Sequence, residues 1–150
     1  MNHGELAKQN FENGCNCAQS VLLAFSDLTG LTEEQSMKIA SSFGGGMGRL
    51  REVCGALTGA FMVLGLLYGD GHVPEHGAKT AHYERVQEIA AEFRAQNGSI
   101  LCRDLLAGVE TVPGKVPEKR TKEYYEKRPC GELVRCAAEL MDQYIEAHPL

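Results

Sequence analysis

Six cysteines, Cys15, Cys17, Cys54, Cys102, Cys130 and Cys136, are the residues of this 150-residue chain best equipped for chemistry. As thiolates they would attack disulfides, carry redox equivalents or bind metal. No pair has the CxxC spacing of a zinc ribbon or a thioredoxin-type site, and ferredoxin spacing is absent too. Their positions on the expected helices are more telling. Cys15 and Cys17 open one helical segment. Cys54 lies near the start of another, behind Arg49 and Arg51; Cys102 follows Ser99 by three residues, and Cys130 directly follows Pro129. In the first turn of a helix the macrodipole and the free N–H groups stabilise a thiolate. Cys136, between Val134 and Ala137 on an apolar face, reads instead as a small inert hydrophobe.

Glycine is the second unusual feature, with nine of the 17 falling between Gly44 and Gly71. Gly44-Gly45-Gly46-Met47-Gly48-Arg49 reads as a turn entering a helix. Its backbone N–H groups, at Gly46 and Gly48 among others, could cradle an anion beside Arg49 and Arg51. The alternative is a sharp turn that carries Cys54 to another cysteine. No Gly-Lys-Ser/Thr follows and no strand precedes, so neither a Walker A loop nor a dinucleotide fold is expected. His72 and His76 are four apart, but Pro74 between them breaks the helix that would align them. The run from Glu118 to Arg128, with five basic residues, reads as a solvated amphipathic helix that could guide a small acidic partner.

The elements that must position these groups are helices. Ala18, Val21, Leu22 and Phe25 follow an i, i+3, i+4, i+7 pattern, as do Val86, Ile89, Ala90 and Phe93. Thr32 and Gln35 form a capping-box pair, and Ser99 is placed to cap the segment after it. Helices are expected near 4–12, 15–28, 32–43, 50–68, 76–96, 100–107, 119–127 and 130–147. Strand signals are poor, since Val109 to Val112 runs into Pro113-Gly114. The stretch from Val53 to Tyr68 is apolar all round, so its helix should be surrounded by others. Gly55 and Gly59 share one face and would admit close approach of another helix or of a cofactor. The expected fold is all-α, a single compact domain over 1–150 with six to eight helices around this glycine-rich helix.

Composition narrows the function classes. A 43% apolar content supports a real core, and 15 Lys+Arg against 20 Asp+Glu give a net charge of −5. Such a balance argues against nucleic acid as a partner. The longest uncharged apolar stretch, from Val53 to Gly69, has 17 residues and four glycines, short of the ~20 that a spanning helix needs. The polar N-terminus lacks the apolar core of a signal peptide, so the expected location is cytoplasmic. In a reducing compartment, metal binding or redox chemistry outranks structural disulfides for six cysteines.

The sequence resembles a known family at this point. Cys54-Gly55-Ala56-Leu57-Thr58-Gly59 matches a CGAxxG motif, with Asn16-Cys17-Ala18-Gln19-Ser20 upstream and Cys102-Arg103-Asp104 and Cys130-Gly131-Glu132 downstream. In order and spacing this is similar to the small redox-active family named for its C_GCAxxG_C_C cysteine pattern, over roughly residues 10 to 146. The resemblance implies four signature cysteines, carried onto Cys17, Cys54, Cys102 and Cys130, with Cys15 competing with Cys17 for the first role. Some relatives are haem proteins, but there is no CxxCH here for covalent attachment.

Three readings follow. In the first, the four cysteines converge by the glycine turn and act in thiol–disulfide redox with an unknown partner, Cys54 attacking as a thiolate stabilised by Arg49 or Arg51. In the second they bind zinc or an iron–sulfur cluster. In the third the cysteines are incidental to a structural or partner-binding helical domain. The apolar central helix could serve a homo-oligomer as readily as a monomer.

Overall fold

Helical periodicity is realised along nearly the whole chain in the computed structural model, which describes residues 2–150. The helices are α1 (His3–Glu12), α2 (Cys17–Ala24), α3 (Ser26–Thr29), α4 (Glu33–Ile39), α5 (Gly55–Tyr68), α6 (His76–Asn97), α7 (Cys102–Leu105), α8 (Lys122–Lys127) and α9 (Cys130–Ala147). No strand is present among the described residues. The fold is therefore all-α, as its sequence implies. The segment expected as one helix over 15–28 is two, divided at Phe25, which ends α2 and begins α3.

The apolar helix α5 lies at the centre, against α2, α9 and α6, and α1 covers α2 and α9. Its buried residues include Ala56, Leu57, Ala60, Val63 and Leu64. Phe11, Phe25, Phe93, Leu22 and Met141 from the surrounding helices complete the core. Gly55 and Gly59 answer to helix packing. A Cβ at Gly59 would come within 2.8 Å of the Ala18 carbonyl and 2.9 Å of Val21 Cβ. One at Gly55 would meet the Phe43 carbonyl at 2.7 Å and Cys17 Cβ at 3.2 Å. The close approach of α2 to α5 sets Cys17 beside the start of α5.

Local signals fix the ends of these helices. Asn16 caps α2 through a full capping box with Gln19, and Thr32 caps α4 in the same way with Gln35. Cys15 consequently lies outside the helix that it was expected to open. Further boundaries differ from expectation: α4 ends at Ile39 and not near 43, and α8 begins at Lys122 and not near 119. Ser99 does not cap α7; its hydroxyl accepts from the Leu101 N–H and donates to Asp104. Helix α5 begins at Gly55 instead of residue 50, because Glu52 to Cys54 is extended and pairs with residues 100–102. Val53 and Leu101 form an antiparallel bridge, flanked by Cys54 N–H to Ile100 C=O at 2.8 Å and Cys102 N–H to Glu52 C=O at 2.6 Å.

A polar clasp holds α1 in place. The ring of His3 stacks on Phe25 at 4.1 Å between centroids and bonds Asp142 at 2.6 Å and Asp27 at 2.9 Å. Burial works against protonation of His3, but the two carboxylates outweigh it and its pKa is raised. The charged clasp therefore stabilises the fold fully below the unfolded histidine pKa of about 6.5, and that contribution is lost as pH rises through the folded value. His3→Ala is expected to cost more stability at pH 6 than at pH 9. Urea midpoints at the two pH values check this; an equal loss at both would assign His3 a packing role only.

Candidate functional site

Between Phe43 and the start of α5 the backbone turns through five consecutive residues of positive φ: Gly45 (66°), Gly46 (72°), Met47 (69°), Gly48 (59°) and Arg49 (67°). Arg51 (60°) follows. Glycine enters this region freely, whereas each side-chain-bearing residue there costs roughly 1–2 kcal/mol. Three such non-glycine residues make the turn a strained one. It folds tightly on itself, with Arg51 N–H reaching Gly45 C=O at 3.2 Å and Glu52 N–H reaching Gly46 C=O at 3.0 Å. Gly46 is packed so closely that a Cβ there would lie 2.7 Å from Cys102 Cβ and 2.8 Å from the Glu52 nitrogen. The turn thus abuts Cys102 directly, while the antiparallel pairing of 52–54 with 100–102 sets Cys54 opposite Ile100 and Cys102 opposite Glu52.

Four cysteines open onto one cavity of about 280 Å³: Cys17, Cys54, Cys102 and Cys130. Cys17, Cys102 and Cys130 are the first residues of α2, α7 and α9, and Cys54 is the N-cap of α5. Cys54, Cys102 and Cys130 are buried and Cys17 half-buried, and all are free thiols. Cys15 and Cys136 stand apart. Cys15 faces Met37 Sδ at 3.8 Å, and Cys136 contacts Gln96 and Asn97 at 3.2 and 3.4 Å. His72 and His76 are exposed and do not line the cavity.

Electrostatics divides the four thiols. Burial pushes Cys54 up to about 12, although the Ala56 and Leu57 N–H groups oppose it. Cys102 is raised by burial as well, partly offset by Arg51, whose Nη1 lies 3.6 Å from its sulfur. Cys130 moves the other way, down to about 7. A hydrogen bond from Cys17 is the largest cause, burial opposes it, and the charges of Arg128 and Arg120 assist. Cys17, donating to Cys130, is raised well above its ordinary value. The two titrate as a pair, and the charges of Arg128 and Arg120 favour ionisation on the Cys130 side. A helix N-terminus alone is therefore insufficient to make a thiolate here, since the one at Cys54 is desolvated without a cation.

The arginines are divided in the same manner. Arg49 is spent on the 112–118 loop, donating to the carbonyls of Gly114, Val116 and Val112 at 2.5, 2.6 and 2.9 Å and pairing with Glu118 at 3.0 Å. It holds the cavity wall and bonds no thiol. Arg51 reaches Cys102, not Cys54. Arg120 and Arg128, expected on a solvated helix, turn inward. Arg120 donates to the carbonyls of Phe11 and Cys15, both at 3.1 Å, and its guanidinium lies 4.3 Å from the Phe11 ring centre. Arg128, only 6% exposed, pairs with Glu118 at 3.0 Å and covers the Tyr124 ring. The sequence carried one signal of this arrangement: Arg120, Tyr124 and Arg128 are spaced four apart just before Cys130.

Among the described residues, no three His, Cys, Asp or Glu side chains are grouped closely enough to hold a metal ion. No helix is long and apolar enough to cross a membrane. No curated protein and no solved structure matches the chain. A family model does, over residues 15–144, and with it the ordered set Cys17, Cys54-Gly55-Ala56-Leu57-Thr58-Gly59, Cys102 and Cys130 acquires a family: the chain belongs to the one described as "Putative redox-active protein (C_GCAxxG_C_C)".

Proposed function

We propose that the protein is a dithiol redox protein in which Cys130 is the attacking thiolate and Cys17 the resolving thiol. The observation that carries this reading is that Cys17 and Cys130, the first residues of α2 and α9, open onto one cavity, where the Cys17 thiol and then the charges of Arg128 and Arg120 favour ionisation of Cys130. Near neutral pH about half of Cys130 is ionised, the range in which an attacking thiol works best. Its sulfur bonds to one sulfur of a substrate disulfide and releases the other as a thiolate. Cys17 then loses its proton to solvent and attacks the Cys130 sulfur, forming the Cys17–Cys130 disulfide and releasing the second substrate thiolate. The protein dithiol gives up two electrons and the substrate disulfide gains them. In this account Cys54, the thiolate expected from the sequence, stays protonated, and Cys102 is held by Arg51.

The test is a thiol count on protein purified without oxygen or added metal. Six free thiols should fall to four after mild oxidation and return with reductant, and the lost pair should be Cys17 and Cys130. Stoichiometric zinc or iron that disappears when Cys54 is replaced by serine would overturn this reading in favour of a cysteine-ligated centre.

A further inference from the structure

The cavity carries a charge pattern that the dithiol chemistry does not itself require. Its lining includes five cations, Arg49, Arg51, Lys115, Arg120 and Arg128, against a single carboxylate, Glu118. That carboxylate is consumed by Arg49 and Arg128, and Arg120 with Arg128 acts on Cys130, leaving Arg51 and Lys115 without a carboxylate partner. The guanidinium of Arg51 is the most informative. Its Nη1 contacts Cys102, but its Nη2 is buried and has no hydrogen-bond partner. A buried guanidinium nitrogen with no acceptor costs free energy unless something fills the place. Arg51 closes the strained turn, in which the N–H groups of Gly44, Gly45 and Gly46 find no backbone acceptor among the described residues. Successive donors in such a turn form an anion-binding concavity.

Size and burial restrict what could bring that anion. The cavity has room for about nine water molecules at ~30 Å³ each. Cys130 is 8% exposed, so a disulfide fixed in the surface of a folded protein could not present its sulfur to it. We propose that the substrate is a low-molecular-mass disulfide bearing carboxylate groups, held by Arg51 and the glycine turn with one sulfur against Cys130. This inference rests on the dithiol reading and specifies its substrate class. The exchange balances as above: each turnover converts one small anionic disulfide into two thiols and the protein dithiol into the Cys17–Cys130 disulfide.

The experiment uses three disulfides of nearly the same size and different charge: 3,3′-dithiodipropionate (anionic), bis(2-hydroxyethyl) disulfide (neutral) and cystamine (cationic). Each rate with the reduced full-length protein is divided by the rate with free 2-mercaptoethanol, which removes differences in leaving-group reactivity. The anionic compound is expected to exceed the neutral one by about tenfold or more and the cationic one by a larger factor. The preference should shrink as salt is raised. In Arg51→Gln the anionic-to-neutral ratio should fall several-fold, and Arg51→Lys should restore part of it. Equal normalised rates, or a preference for cystamine, would overturn the inference and leave the dithiol reading standing. No exchange with any of the three would overturn the dithiol reading itself.

Discussion

Replacing Cys17 by serine is expected to trap the reaction halfway. Where the wild-type protein releases two small thiols per disulfide consumed, Cys17→Ser should release one and retain the other half as an adduct on Cys130. Intact-protein mass and peptide mapping read the outcome directly. Cys130→Ser should react more slowly from the outset. The cavity thiols that remain lie above the ordinary value of 9.0 and so are at most about 1% ionised at pH 7, against about half for one near 7. The weaker nucleophilicity of the more acidic thiolate offsets part of that advantage of at least roughly 50-fold, leaving about five- to tenfold or more. An adduct that formed on Cys54 in either variant would contradict the assignment, because a thiol near 12 is about 10⁻⁵ ionised at neutral pH.

The second large effect belongs to the glycine turn. Gly46→Ala should destabilise the protein by roughly 2–4 kcal/mol. Its φ of 72° disfavours any Cβ, and that Cβ would collide with the Glu52 nitrogen, a backbone atom that cannot swing aside. At 150 residues this corresponds to a fall in Tm of about 4–16 °C. The collision with Cys102 Cβ should also disturb the cavity floor, so the exchange rate should fall even where the variant is fully folded. Gly65→Ala supplies the contrast. It lies within α5 at ordinary φ with open space around it, and alanine there should stabilise by about 0.5–1 kcal/mol. Equal thermal shifts for the two variants would mean that the turn is not the constrained element described here.

Much of this architecture was legible because helices announce themselves through periodicity and caps. The apolar face of α2, the capping box at Thr32 and the all-round apolarity of α5 each depend on residues within a few positions of one another. The start of α5 was not legible for a complementary reason. Met47, Arg49 and Arg51 adopt positive φ, which their side chains disfavour, so nothing in their identity signals the departure from helix. Only the neighbouring glycines hinted at it. The bridge between Val53 and Leu101 joins residues 48 positions apart, and an isolated pair leaves no alternation to read.

The site divides along the same line. Family resemblance and helix starts selected Cys17, Cys54, Cys102 and Cys130, all of which line the cavity. What sets their protonation comes from farther away. The helix start that holds Cys54 is buried against α2 with no cation beside it. The one that holds Cys130 receives Arg128 and Arg120, from a charged segment that reads locally as solvent-facing. Arg49 looked equivalent to Arg51 in sequence, yet its guanidinium is committed to three loop carbonyls. Such pairings depend on tertiary packing and not on local pattern.

The most direct measurement is the pH dependence of alkylation, resolved by cysteine, on the fully reduced protein. Iodoacetamide labelling between pH 5 and 10, read by peptide mass, would follow each thiol separately. The account predicts that Cys130 is labelled first among the four cavity cysteines, with a midpoint near 7, and that Cys54 is not labelled across the range. Labelling of Cys54 ahead of Cys130, or a Cys130 midpoint at or above 9, would contradict it.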